Sequence, residues 1–270
     1  MTHDRADAAT RSAPVPLPAA TIMLLRDGPD GLEVFMVVRH HQIDFASGAL
    51  VFPGGKVDPQ DRDPRVQARL GTHASGDANE TLFRVAAIRE AFEESGTLLA
   101  SHSDGRPLSG ASGSVELARW RDGLNDQSLT LGEVLDEADL QLEPDTLVPF
   151  SHWVTPTFMP KRFDTRFYVA RFPEAQEAGH DGRESVDSVW IRPSQVVADA
   201  QAGRRTVVFA TLSNVVRLAQ FGSVDEALKT CAATPLVRIE PWLEEREDGR
   251  YVCIPKDAGF TLNEHRAAGR

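Results

Sequence analysis

The chain has 270 residues, 41% of them hydrophobic and 26% charged, ordinary globular values that allow a packed core and exclude wholesale disorder. Its 29 Lys and Arg stand against 40 Asp and Glu, a net charge of -11. That balance lacks the basic face a nucleic-acid binder needs, and leaves room only for a local cationic cluster on a small anionic ligand.

In chain order, residues 1–18 are polar and rich in Ala and Pro, and read as a tail. Strands are expected at 21–26 and 32–39, the second after an Asp30-Gly31 turn signal. A third, at 49–52, stops at Pro53-Gly54-Gly55. The stretch 56–76 has no hydrophobic period and is rich in Asp, Arg, Pro and Gly, so it reads as a surface insertion at the site entrance. Residues 78–99 follow a helical pattern, with Leu82, Val85, Ile88, Phe92 and Leu99 on one stripe. Asp77 and Glu80 have capping-box spacing, and Gly96 falls near the end. A Ser/Gly loop is expected at 101–113, then short helices at 115–124 and 131–138. Strands follow at 146–155, 166–172 and 186–191, and helices at 193–202, 211–221 and 224–233. Residues 237–239 and 251–254 suggest a terminal hairpin around Asp248-Gly249. Cys231 and Cys253 are too far apart for a disulfide framework or a zinc set and read as core residues. Strands in groups with helices between them predict an α/β fold, a mixed sheet covered by helices. No apolar run reaches the ~18 residues of a membrane span, and neither a signal core nor a peroxisomal address is evident. A soluble, cytoplasmic protein is expected.

The informative segment is Arg89-Glu90-Ala91-Phe92-Glu93-Glu94-Ser95-Gly96. At about 100° per residue, Glu90 and Glu94 point away from the apolar stripe, and Glu93 lies between them and Arg89. Three such Glu repel one another by a few tenths of a kcal/mol per pair, which Arg89 offsets in part. A hard divalent cation would balance Glu90 and Glu94; a solvated helix face is the plain alternative. Phe83 shares their side, so that face meets protein at one end. Gly54 and Gly55 follow a strand and allow positive φ and close approach of the backbone to a ligand; an ordinary tight turn is the alternative.

Other candidates are cationic. Lys161, Arg162 and Arg166, beside Phe158 and Phe163, form a local positive cluster suited to a substrate phosphate. Arg39, followed by His40 and His41, precedes the Gly-Gly turn and could face the same cleft or an exposed edge. His152 and His180 lack metal-ligand spacing, and Trp153 and Trp190 read as core.

Gly55, then KVDPQ and Asp61, then REAFEESGT from Arg89 to Thr97 resemble the motif of the Nudix hydrolase superfamily. Asp61 stands for the motif's first Glu and Thr97 for its last apolar residue. Arg89 follows Gly55 by 34 positions where the motif has 14, an insertion of about 20 residues. The interruption is similar to that of the RP2-type peroxisomal coenzyme A diphosphatases, as are Gly54, Gly55, Asp58 and Asp61, the run His152-Trp153-Val154-Thr155-Pro156 and the run Arg162 to Phe167. Their Pro-Pro-Thr is absent; residues 205–211 read RTVVFAT.

The resemblance covers about residues 19–222 and implies one Nudix domain there, an α/β/α sandwich. Residues 223–270 form an extension that packs onto the sheet or offers a homodimer surface. It also implies Mg²⁺- or Mn²⁺-dependent hydrolysis of a diphosphate in a small nucleotide derivative. Glu90, Glu94 and the Gly54 carbonyl would be metal ligands, and Glu93 a ligand or the partner of Arg89. Gly55, Asp61, Arg89 and Gly96 would be structural. Alongside Glu93 and Glu94, a general base is expected from a late strand or loop: Glu184, preferred over Asp187. Lys161, Arg162, Arg166 and Arg39 would bind substrate. The preferred substrate is coenzyme A or an acyl thioester, split to 3',5'-ADP and a 4'-phosphopantetheine product. The alternatives are another nucleotide derivative, such as a sugar nucleotide or dinucleotide, and a non-catalytic nucleotide-binding module.

Overall fold

A computed structural model describes residues 13–40, 48–71, 77–109 and 115–267. Strands β1 (Leu17–Gly28) and β2 (Gly31–Arg39) form a hairpin closed by Gly28 opposite Gly31, whose φ of 114° suits only glycine freely. β1 starts inside the expected tail, because Leu17 and Pro18 pair with Phe163 and Asp164; both are exposed, so no apolar signal marks them. Then come β3 (Leu50–Val51) and β4 (Gly54–Lys56). The expected Gly-Gly turn is strand: Gly54 pairs with Thr21 and Gly55 with Ala20.

The expected surface insertion is folded where it is described. Asp58 caps a 3₁₀ turn at Pro59–Arg62, and Asp63 caps helix α1 (Pro64–Ala68). Each has proline in its first turn, where no N–H is needed. Asp61 and Val66 are fully buried. Helices this short are too brief to show a period, which is why the stretch looked featureless. Its residues 72–76 lie outside the described residues.

Helix α2 (Ala78–Ser95) begins at Asp77, whose carboxylate accepts the Asn79 N–H at 2.9 Å. Glu80 does not complete a capping box; it turns to Arg84, Arg166 and the Tyr168 hydroxyl. The helix stops at Gly96, at φ 73°, so Leu99 lies beyond the stripe it was expected to extend. After it, β5 (Ala100–His102) and β6 (Leu140–Leu142) pair around helices α3 (Val115–Asn125) and α4 (Leu131–Glu137). A loop was expected where β5 lies; residues 110–114 of that loop are outside the described residues.

The rest runs β7 (Val148–Val154), β8 (Phe163–Arg171), β9 (Ser185–Ile191), then α5 (Pro193–Gln201), α6 (Phe209–Leu218) and α7 (Val224–Ala232). Three short strands follow β10 (Arg238–Ile239): β11 (Trp242–Arg246), β12 (Gly249–Cys253) and β13 (Glu264–Arg266). The terminal hairpin joins β11 to β12. Residues 238–239, expected in it, instead extend the main sheet beside β7.

The main sheet runs β10-β7-β8-β1-β2-β3, with β4 also on β1 and β9 also on β2. It is mixed: β1 with β8 and β7 with β10 are parallel, the other pairs antiparallel. One face packs Ile22, Leu24, Phe35, Val37 and Tyr168 against α2, α3 and α4. The other packs Met23, Val34, Met36, Phe150 and Val169 against α5, α6 and α7. Ala227, Cys231, Ile239, Ile254 and Phe260, from the C-terminal extension, join that second core. Among the described residues no helix is long and apolar enough to cross a membrane.

Candidate active site

β1 is shared along its length. Ala19–Thr21 pair with β4 and Leu25–Gly28 with β2, so the sheet forks beside α2. The glycines matter at this fork for closeness, not for φ. A Cβ on Gly55 would fall inside the Glu90 carboxyl group, and one on Gly54 would lie 2.6 Å from the Ala20 carbonyl oxygen. The expected positive φ is absent at both. Ile22 N–H donates to Pro53 oxygen and Val57 N–H to Pro18 oxygen, which turns the N–H and C=O of Gly54 away from β1. On that open edge the Gly54 N–H donates to Glu94 at 3.3 Å.

Arg89 organises the other side of the carboxylate face. It is 4% exposed, and all five of its N–H groups are engaged. Nε and one terminal nitrogen grip both oxygens of Asp61 at 2.7 and 3.1 Å. The rest reach Lys56 oxygen at 2.8 Å, Glu90 at 2.9 Å and Glu93 at 2.8 Å. Burial opposes the Arg89 charge, but the Asp61 bond and the charges of Glu90, Asp61 and Glu93 outweigh it and raise its pKa. Asp61 also accepts the Asp58 N–H at 2.7 Å. Gly96 supplies the left-handed cap that ends the helix two residues after Glu94.

The three glutamates sit in a desolvated place with a surplus of negative charge. Burial, then the neighbouring carboxylates of Glu90 and Glu184, hold Glu94 well above the ordinary carboxylate range, with Arg39 and the Gly54 N–H opposing. Burial pushes Glu90 up to about 7, against the pull of Arg89. Glu93 is raised too, mainly by burial. A solvated helix face is therefore excluded: Glu94 is only 7% exposed.

Arg39 ends β2 in the series of Phe35 and Val37, which face α2. Its Nε is buried without a hydrogen-bond partner among the described residues. Glu184 immediately precedes β9, and its carbonyl accepts the His40 N–H at 2.8 Å. Asp187 pairs with Val38, whose side chain packs into the second core, so Asp187 faces away from α2.

The cationic cluster is not brought together as a free site. Arg162 is buried, and donates to Thr155 oxygen, Pro14 oxygen and Glu240 at 2.8, 3.0 and 2.6 Å. It clamps the N-terminal segment, β7 and the C-terminal extension, and is not turned to a substrate. Arg166 pairs with Glu80 and lies over the Phe83 ring at 4.3 Å. Lys161 is exposed beside Phe163. His152 pairs with Asp164, and His180 is exposed beside Ser188. Trp153 is core; Trp190 is half-buried against Phe35 and Phe172. Sequence reasoning missed Arg121 and Asn125 of α3, which donate to the Glu93 carbonyl at 2.9 and 3.3 Å. Nothing in spacing or residue type links them to a helix end 28 residues away.

Among the described residues no three His, Cys, Asp or Glu side chains are already gathered as a metal cage. The donor set nonetheless fits a hard divalent cation. It offers desolvated carboxylates in excess of positive charge and a glycine carbonyl on an open strand edge.

A mixed sheet between helical layers, with a carboxylate helix against a Gly-Gly strand, is the fold of a Nudix diphosphohydrolase. The chain belongs to the family described as the NUDT19 Nudix domain, whose model matches residues 70–218. It is similar to the acyl-coenzyme A diphosphatase NUDT19 of Homo sapiens, 26% identical over 84% of this chain and 72% of that one. The Xenopus laevis protein of the same name is 23% identical over 83% and 70%. The putative nudix hydrolase 7 of Caenorhabditis elegans is 29% identical, but this chain spans only 56% of its length. A NUDIX hydrolase from Alicyclobacillus acidocaldarius superimposes with a TM-score of 0.70 and 26% identity, over 82% of this chain and 99% of that one.

Proposed function

We propose that the protein hydrolyses the diphosphate bridge of coenzyme A or its acyl thioesters, releasing 3',5'-ADP and a 4'-phosphopantetheine product. The relatives named acyl-coenzyme A diphosphatases, which match over most of this chain, support the substrate class. The observation that carries the reaction is the buried pair Glu90 and Glu94, with the exposed Glu184 carboxylate adding its charge beside Glu94 and Arg39 and the Gly54 N–H opposing. Glu90, Glu94 and the Gly54 carbonyl would hold Mg²⁺ or Mn²⁺. When bound, such an ion would neutralise diphosphate charge and acidify a water.

The chain's own groups do the rest. Glu184 takes a proton from the attacking water, whose oxygen bonds to one phosphorus as the bridging P–O bond breaks. The bridging oxygen leaves with the other phosphate, giving two phosphate monoesters. Arg39, whose charge acts on Glu94, would contribute its guanidinium to the diphosphate. Arg89 and Asp61 fix Glu90 and Glu93 in place.

A second reading, hydrolysis of a sugar nucleotide or dinucleotide, is favoured by one observation. Arg162 and Arg166 are engaged by protein groups, so neither is free to read a ribose 3'-phosphate. The test is product analysis with Mg²⁺ or Mn²⁺ on coenzyme A, acyl-coenzyme A, dephospho-coenzyme A, NADH and sugar nucleotides. Faster release of 3',5'-ADP from coenzyme A species than turnover of the others is expected. A preference for dephospho-coenzyme A or NADH would move the assignment to the second reading.

A further inference from the structure

Two halves of the site arrive from distant parts of the chain. Glu90, Glu93 and Glu94 sit at the C-terminal end of α2, while Glu184 ends a loop that leaves β8 and leads into β9. The last carbonyls of a helix have no partner within it and must find one outside. Here the Phe92 carbonyl accepts the Gly96 N–H, and the Ser95 carbonyl accepts the Gly179 N–H at 2.9 Å. The Glu93 carbonyl accepts Arg121 and Asn125 from α3.

Arg121 does more than cap. Its Nε donates to Glu93 oxygen at 2.9 Å, one terminal nitrogen to Gly179 oxygen at 2.9 Å, and the other to His180 oxygen at 3.4 Å. One planar guanidinium therefore bolts the carboxylate end of α2 to the loop. Its bonds go to backbone carbonyls, which suits a fork and not a point charge. A cation at a helix C-terminus also meets the negative end of the helix dipole. Burial holds Arg121 below the ordinary arginine range, in spite of the nearby charges of Asp181, Asp122 and Glu94. From His180 the chain continues straight to the base. Asp181 accepts the N–H groups of Glu184 at 3.0 Å and Ser185 at 2.9 Å, closing the turn that carries the Glu184 side chain.

We propose that Arg121 is a positioning residue, which holds the 179–184 loop, and with it the Glu184 carboxylate, in register with the carboxylate end of α2. The proposal rests on Glu184 as the base. Misplacing a reacting group by about 1 Å costs up to about 10²-fold in rate. Arg121 bonds backbone carbonyls and not Arg39 or the α2 carboxyl groups, so its loss falls on kcat more than on KM.

The experiment is a double-mutant cycle of Arg121→Met with Glu184→Gln. It uses the full chain with Mg²⁺, on whichever nucleotide of the substrate panel turns over fastest, well below melting. Arg121→Met alone should lower kcat about 10-fold or more and change KM less than about 2-fold. Glu184→Gln alone should lower kcat about 10²–10⁴-fold. In the Glu184→Gln background Arg121→Met should add almost nothing, because groups acting as a unit are not additive. Amide exchange at Gly179, Glu184 and Ser185 should speed up in Arg121→Met. Asn125→Ala, which removes the other bond to Glu93 without touching the loop, should spare kcat. If Arg121→Met does not fold, Arg121→Lys, which keeps the charge but not the fork, takes its place in the cycle. Full multiplication of the two losses would overturn the proposal and leave the base standing. Wild-type kcat in Glu184→Gln would remove the base, and the proposal with it.

Discussion

Replacing Arg89 by Met tests whether the carboxylate helix is held by the inward fork or by metal. The side chain is almost the same length, but all five donors vanish. Asp61, fully buried, would keep one N–H partner, that of Asp58. Removing one member of a buried ion pair costs about 3–5 kcal/mol, because the other charge is left without compensation. At about 2–4 °C per kcal/mol for a domain of this size, the melting temperature should fall by about 6–20 °C without added metal. Turnover should fall as well, since Glu90 and Glu93 lose the bonds that orient them. The second variant separates causes. Asp61→Asn in the Arg89→Met protein removes the stranded charge and should return part of the lost stability. Thermal unfolding followed by circular dichroism reads both. Arg89→Met melting at the wild-type temperature would refute the reasoning, as would Asp61→Asn adding a full penalty of its own.

Glu94→Gln keeps the shape and the Gly54 bond but removes a charge. It should cost on the order of 10²–10⁴ in kcat and slightly raise the metal-free melting temperature by relieving repulsion with Glu90 and Glu184; unchanged Mg²⁺-dependent turnover would discard Glu94 as a ligand. Arg162→Ala should lower the melting temperature and change KM for coenzyme A and dephospho-coenzyme A alike, since its bonds join three chain segments; a selective rise for coenzyme A would reinstate it as a phosphate reader. Glu90 is pushed from 4.5 to about 7 in the folded state, so the folded chain holds this proton more tightly than the unfolded one. Its contribution to metal-free stability is full below about 4.5 and lost as pH rises through about 7, and Mg²⁺ should flatten that decline; stability rising with pH over this window without metal would contradict the assignment.

The site was legible in the sequence where local chemistry carries it. The carboxylate face, Arg89 and the glycine pair all lie on short, strongly typed motifs, and helix periodicity separated Glu90 and Glu94 from the buried stripe. Of the two uses read for the glycines, positive φ and close approach, the structure shows the second, with protein and not a ligand as the neighbour. Gly55 is needed because Glu90 occupies the space of a Cβ, and close approach leaves no trace in sequence distinct from positive φ. The cationic cluster failed for a related reason. Spacing brings Arg162 and Arg166 near each other in the chain, but their partners, Glu240 and Glu80, are 78 and 86 residues away. Arg121 was invisible because its acceptors are backbone carbonyls, which every residue has.

Asp61 stands where the motif has Glu, and the fold supplies a reason. The 3₁₀ turn at Pro59–Arg62 is capped by Asp58, whose side chain accepts the Gln60 N–H at 2.9 Å. That tight turn brings the backbone of residue 61 close enough for the shorter acid to meet Arg89 with both oxygens. The Asp61 carbonyl is tied to the Gln67 amide at 3.2 Å, so the turn has little freedom to withdraw. At a fully buried position an extra methylene must be taken up by the neighbouring side chains and backbone. Restoring the motif with Asp61→Glu should therefore overpack the site, at a cost of about 1–3 kcal/mol. The longer side chain would push Arg89 toward Glu90, so kcat should drop even at temperatures where the protein is folded. Melting temperature and turnover of Asp61→Glu read the two effects together. A variant as stable and as active as wild type would mean that the turn yields, and that the short acid at this position is not matched to the insertion that follows it.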